Sequence, residues 1–374
     1  MLSYLRKKLG AAGAKEAPAE RTFKLRVEEF WTWFAEAAPR IFATIEEGKC
    51  ASLADEMAVT VERILGGGAW EFGPGANGGG HGFTFSPEDD AHRQFLAAYW
   101  LSRAPKLTGW SFFSARQPTS IAEISLSLNG RTFRAIEFWV TPLVDREQQK
   151  VDITVWHPVF DAVEERQRYE LLFLFLDQAL GEVGTGHWIG KIDFSKQNLA
   201  DAMPLEELRP YLARLQGETG WKKLPPGEAY TGYQCKEPHD RFPRGDTITG
   251  TTAHMRLIDD YMKAGGEMDN PLAKFGADFA YVALEVSLLA EGDEAAARGD
   301  IEDALDAALK REASGRVLGG AHGTRCAYVD LFLVDGAKSV ALVQRVLRER
   351  GLPAETSVNF FAKDKRDQRV MIGA

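Results

Sequence analysis

Residues 277–288 read ADFAYVALEVSL, and the alternation in this run decides the fold of the last quarter of the chain. Successive side chains of a strand point to opposite faces. Ala280, Val282, Leu284 and Val286 therefore share one face, and Phe279, Tyr281 and Glu285 the other. Working downstream, helical spacing runs over 300–313, strands over 316–319 and 324–334, a helix over 336–350 and a strand over 355–361. The order β-α-β-β-α-β is the ferredoxin-like, split βαβ order. Val329, Leu331 and Leu333 extend the aliphatic face, which should carry the two helices. Tyr328, Asp330, Phe332, Asn359 and Phe361 extend the aromatic one.

Several aromatic side chains of roughly 150–250 Å² each exceed the few hundred Å² that monomers leave as one apolar patch. Tyr281, Tyr328 and Phe332 are therefore expected at an interface, covered by other parts of the chain or by a second copy. Nucleic acid is not the expected cover. Glu285 and Asp330 would repel phosphate, and the K/R-G-F/Y-G/A-F-V-x-F/Y string of RNA-binding sheets is missing.

Working upstream, 201–275 reads as a helix and loop connector. It holds the most polar stretch of the chain, YTGYQCKEPHDRFPRGDTITGTTAH at 230–254. Cys235, His239 and His254 are the catalytic candidates there, since a thiolate and a histidine are the minimum for nucleophilic catalysis. Arg241 and Arg244 are the anion-binding candidates. Residues 119–200 read as a middle segment, with a hairpin about Asn129-Gly130, a strand at 150–157, a buried helix at about 162–181 and a strand at 188–194. In that segment GTGHWIGK at 184–191 reads as helix termination. Residues 21–118 read as an N-terminal α+β unit, also ferredoxin-like, with RTFKLRV at 21–27 as its first strand. Residues 1–20 read as a flexible tail.

Two glycine-rich stretches, GGGHG at 78–82 and GGAHG at 319–323, precede strand-like runs and read as hairpin turns. Neither leads from a strand into a helix, as a phosphate cradle requires. Glu71 of EFGPG has no second carboxylate that the sequence places beside it. No H-x-x-x-H or H-E-x-x-H spacing occurs, so no metal is expected, and no cofactor fingerprint is present.

The 374 residues carry 45% apolar and 26% charged side chains, enough for a large core. A net charge of −9 opposes nucleic-acid backbones and anionic membranes. Three cysteines far apart fit a reducing compartment, and the start lacks a signal-peptide apolar region, so the expected location is the cytoplasm.

The segments FWTWF (30–34), WEFGPG (70–75) and LDQALGE with HWIGKIDF (176–194) resemble a family of bacterial proteins with no assigned function. The resemblance covers mainly residues 28–195. It implies a cytoplasmic bacterial protein and brings no catalytic residue with it. The expected function is non-catalytic: binding of a protein partner or self-association, of an immunity-protein or regulatory type. The alternative is a small-molecule hydrolase or transferase that uses the 230–254 loop.

Overall fold

The computed structural model describes residues 21–88, 90–128, 130–222, 224–288 and 294–373. The 1–20 tail and Asn129 of the expected hairpin turn lie outside them. In chain order the elements are α1 (Phe23–Glu46), α2 (Ala54–Leu65), β1 (Ala69–Pro74), β2 (His81–Ser86), α3 (Arg93–Ser102), β3 (Trp110–Phe113), β4 (Ser125–Leu128), β5 (Arg131–Arg134), β6 (Trp139–Asp145) and β7 (Lys150–Trp156). There follow α4 (Glu165–Leu180), α5 (Glu182–Trp188), β8 (Ile189–Phe194), β9 (Met203–Pro204), α6 (Leu208–Thr219), β10 (Thr231–Gln234), β11 (Thr247–Thr252) and α7 (Met255–Lys263). The last are β12 (Asp278–Glu285), α8 (Glu294–Arg311), β13 (Gly315–Gly323), β14 (Cys326–Leu333), α9 (Ala337–Glu349), β15 (Ser357–Phe360) and β16 (Val370–Met371).

This is a mixed α+β architecture that divides into two compact units. Of the described residues, one comprises those within 21–68, 90–110 and 225–373, the other those within 69–88 and 111–224. Among the described residues no helix is long and apolar enough to cross a membrane.

The first unit is built on a seven-stranded antiparallel sheet in the order β10-β11-β13-β14-β12-β15-β16. Its aliphatic face carries α8 and α9, as the alternation predicts. Ala280, Val282, Leu284, Val329 and Leu331 pack there against Ile301, Leu305, Leu309, Val343 and Leu347. The expected strand at 21–27 is instead the start of α1. Thr22 caps that helix, its Oγ1 accepting from the Leu25 amide. Phe23, Val27, Phe30, Trp31, Phe34 and Ile41 then form one buried stripe, so the helical period outweighs the β-branched start. Within FWTWF, Trp31 stacks on Trp100 of α3 at 4.4 Å and donates Nε1–H to the Trp100 carbonyl.

GGAHG is also corrected, because it lies inside β13 and not in a turn. Its glycines permit close approach: a Cβ on Gly319 would sit 2.1 Å from the Thr251 carbonyl oxygen on β11. The GGGHG stretch does include turn residues, with Gly78 and Gly80 at positive φ before β2.

The second unit holds a three-stranded sheet (β1-β2-β3), the β4-β5 hairpin and a four-stranded sheet in the order β8-β7-β6-β9. Its N-terminal sheet thus has three strands where four were expected. Strands β7 and β8 run parallel, linked by α4 and α5. The stretch read as helix termination forms most of α5, and the break falls earlier, at Gly181 with φ 76°. The core joins Val140, Val151, Ile153 and Val155 to Phe138, Phe160, Leu172, Phe175 and Leu212.

Candidate functional site

The aromatic face of β12 and β14 is covered, and the cover comes from the chain itself. Tyr281, Tyr328 and Phe332 are 3%, 4% and 1% exposed. Phe95 of α3 lies 5.9 Å from Phe332, ring to ring, and Tyr261 of α7 lies 5.0 Å from Phe361. The middle of the 230–254 stretch fills the remaining space over Tyr281, Tyr328 and Phe361.

Arg244 is the residue that fills it. Its side chain is completely buried, with Nη1 2.5 Å from Asp330 Oδ1 and Nη2 donating to Tyr233 Oη at 3.2 Å. The guanidinium lies 5.0–5.5 Å from the rings of Tyr281, Tyr328 and Phe361. Tyr233 reaches it by lying across Gly250, where a Cβ would meet the phenol at 2.6 Å. Burial raises the Asp330 carboxyl, and Arg244 offsets part of that rise. Two residues on, buried Asp246 accepts from the Tyr328 hydroxyl and from the amides of Arg325 and Cys326. Arg244 therefore cannot hold an external anion at a helix end, because its charge is committed to Asp330. Arg241 is exposed. Arg244 has φ 66°, a conformation that non-glycine residues adopt only under constraint.

The three catalytic candidates do not converge. Cys235 donates its amide to the Ile248 carbonyl at one end of β11. His254 follows the other end, beyond Thr252, so roughly 13 Å of strand lies between them. His239 turns onto Phe242 and Gly245. Burial raises the Cys235 thiol, opposed by Arg244, and a protonated thiol is a poor nucleophile.

His254 has a different set of neighbours. Its Nε2 lies 2.9 Å from His92 Nδ1, and His92 Nε2 lies 3.2 Å from Asp260 Oδ2. Phe95 and Phe279 enclose the His254 ring at 4.6 and 5.1 Å. Burial first, then the neighbouring His92, pushes His254 down to about 3. Burial raises the Asp260 carboxyl, but hydrogen bonds from Arg256 and His92 outweigh it and hold it below the usual range. The sequence carries no signal for this group, since His92, His254 and Asp260 match no spacing motif.

A shallow cleft of about 370 Å³ lies along β11, lined by Thr249, Gly250, Thr251, His322, Ala295 and Arg298. Among the described lining residues the arginine, Arg298, is ion-paired with Glu302 at 2.9 Å, which offsets its pull on an anion.

In the second unit, Glu182 is the carboxylate near Glu71 that the sequence did not reveal. It is 2% exposed and accepts from Ser86 Oγ at 2.8 Å and from the Arg116 amide at 3.0 Å. Burial raises the Glu71 carboxyl, Arg116 lowers it and Glu182 raises it further. Both Glu182 oxygens bond Ser86 and one also takes the Arg116 amide, which describes a structural carboxylate better than a base poised to activate water. Among the described residues no cluster of histidine, cysteine and carboxylate side chains could hold a metal ion.

No protein-family model, curated protein or solved structure matches the chain.

Proposed function

We propose that this is a non-catalytic, self-associating protein, and that a second copy adds to the outer edge of β10. The observation that carries the reading is the open end of the seven-stranded sheet. β10 is its terminal strand, and Thr231, Gly232 and Gln234 are exposed. Hydrogen-bonded and non-bonded pairs alternate along an antiparallel ladder. Cys235 is bonded to Ile248, so Tyr233 and Thr231 also turn toward β11. Gly232 and Gln234 then direct their amides and carbonyls outward. Such an edge templates another strand, and Thr231–Gln234 contains neither a proline nor a charge to prevent it. A two-fold antiparallel pairing about Gly232 sets Thr231 opposite Tyr233 of the second copy, a favourable β-branched and aromatic pair.

The same reading takes β12, α8, β13, β14, α9 and β15 as a ferredoxin-like unit. Support comes from the strand order β13-β14-β12-β15 and the antiparallel pairing of all four. The protein is taken to act in the cytoplasm, on protein and not on nucleic acid or membrane, consistent with its charge of −9. A hydrolase or transferase working from the 230–254 stretch has less support, because its candidate nucleophile and histidines lie apart.

Light scattering across a concentration series tests the association. The native chain should form dimers. Gly232→Pro, which removes an outward amide where a side chain meets no atom within 4 Å, should be monomeric with unchanged unfolding. A native chain that stays monomeric throughout overturns the reading.

A further inference from the structure

We propose that Asp260, His92 and His254 form a proton-sensitive clasp that holds the start of α3 on the start of α7, closed while the two rings carry two or three N–H groups between them and open once a fourth arrives. The inference is independent of the association proposed above.

The argument is proton counting. A carboxylate only accepts, so the 3.2 Å contact between Asp260 Oδ2 and His92 Nε2 requires a proton on that nitrogen. The 2.9 Å contact between His92 Nδ1 and His254 Nε2 has room for one proton. With both rings neutral, His254 carries it and donates to His92. Add one proton and the chain survives by rearrangement. His92 becomes the imidazolium, donating to Asp260 and to His254 Nε2, and His254 keeps its own N–H on Nδ1. The charge then lies beside the Asp260 carboxylate and away from the rings of Phe95 and Phe279. Add a second proton and two N–H groups face each other at 2.9 Å, which no tautomer relieves.

The surroundings favour this ordering. Burial holds His254 neutral. His92 and His254 occupy the N-cap positions of α3 and α7, where helix dipoles oppose positive charge, so the hydrogen-bonded Asp260 carboxylate is the described group placed to stabilise an imidazolium on His92. The other described charged groups about the chain are Asp90, Arg93, Arg256 and Asp259. Asp90 accepts the amides of His92 and Arg93 and is ion-paired with Arg93, while Arg256 is bonded to Asp260 and felt electrostatically by Asp259. β12 presents the ring of Phe279, and α3 that of Phe95.

Long-range ¹⁵N–¹H spectra of the histidines in the full chain, taken from about pH 8 to about pH 2, read the tautomers directly. As His92 takes its proton, His254 should stay neutral and change from the Nε2–H to the Nδ1–H form in the same step. Amide exchange along α3 should remain slow through that step and quicken only when His254 itself gains a proton. Asp260→Asn, whose amide can donate as well as accept, lifts the requirement for a proton on His92 Nε2 and should uncouple the His254 tautomer from His92. If His254 keeps one tautomer while His92 is protonated, the clasp is refuted, and wild-type spectra decide this whether or not the variant folds. Fast α3 exchange at the first proton also overturns it.

Discussion

The two large sheets of this molecule are closed in different ways. The seven-stranded sheet is covered on both faces, by an aliphatic layer under α8 and α9 and by an aromatic layer that contains a fully buried ion pair. The four-stranded sheet packs one face on a mainly apolar layer and leaves the other accessible, with Leu143 69% exposed. A sheet with one open face needs only period-two alternation, and β7 supplies it: Val151, Ile153 and Val155 are buried while the residues between them are not. A two-sided sheet needs a second layer whose polar groups find partners, because an unpaired buried charge is costly. In the first unit Arg244 and Asp330 meet that need, and they tie the 230–254 stretch to the sheet.

The largest effect should come from breaking that tie. Arg244→Met strands the Asp330 carboxylate, and removing one partner of a buried pair costs about 3–5 kcal/mol. Urea unfolding should show this loss. Arg244→Met with Asp330→Leu should recover most of it, since an apolar replacement of the whole pair is often neutral or stabilising. A single variant as stable as the native chain would mean that the rings alone seal the face.

The next effect separates the units by pH. Each has one deeply buried histidine held below the ordinary range: His254 in the first, and His157 in the second, where burial outweighs the pull of Glu137. The unfolded chain then binds more protons than the folded one once pH falls below about 6.5. Each histidine thus stabilises the fold above that pH, and its contribution is lost as pH falls, by up to about 1.4 kcal/mol per pH unit. For His254 the window extends down to about 3. Carboxylates add to the total, so the informative quantity is the difference between native and variant slopes. His157→Gln should flatten the profile of the second unit alone. Equal slopes in native and variant proteins would show that His157 is not neutral in the fold.

What could be read from the sequence follows the same division. The β12 to β15 order was legible because strong alternation and helical spacing are local signals. So was the need for a cover over Tyr281 and Tyr328. The identity of the cover was not, because Arg244 and Asp330 are 86 residues apart, and an arginine inside a polar, proline-rich run looks like any exposed loop residue. The same holds for His92 and His254, separated by 162 residues. The strand expected at 21–27 failed for a local reason: seven residues are too few to show that Phe23 and Val27 begin a stripe continuing to Ile41. The glycines at 319–323 misled because close approach of two strands and a tight turn select the same residue.

The smallest predicted effect concerns the open face of the four-stranded sheet. Leu143 lies in β6 opposite Asp152 of β7, exposed and next to a carboxylate. Leu143→Lys removes no core contact and sets a cation across the strand from an anion, a pairing worth a few tenths of a kcal/mol. Unfolding free energy should therefore change by no more than about 0.5 kcal/mol. The same substitution at Ile153, on the packed face of β7, should unfold the unit, because it buries an unpaired ammonium. A loss of about 2 kcal/mol or more at Leu143, measured at a concentration where the chain is dimeric but absent where it is monomeric, would show that this face is covered by a second copy. The contrast between a sheet sealed on both faces and one sealed on a single face would then hold only for the isolated chain.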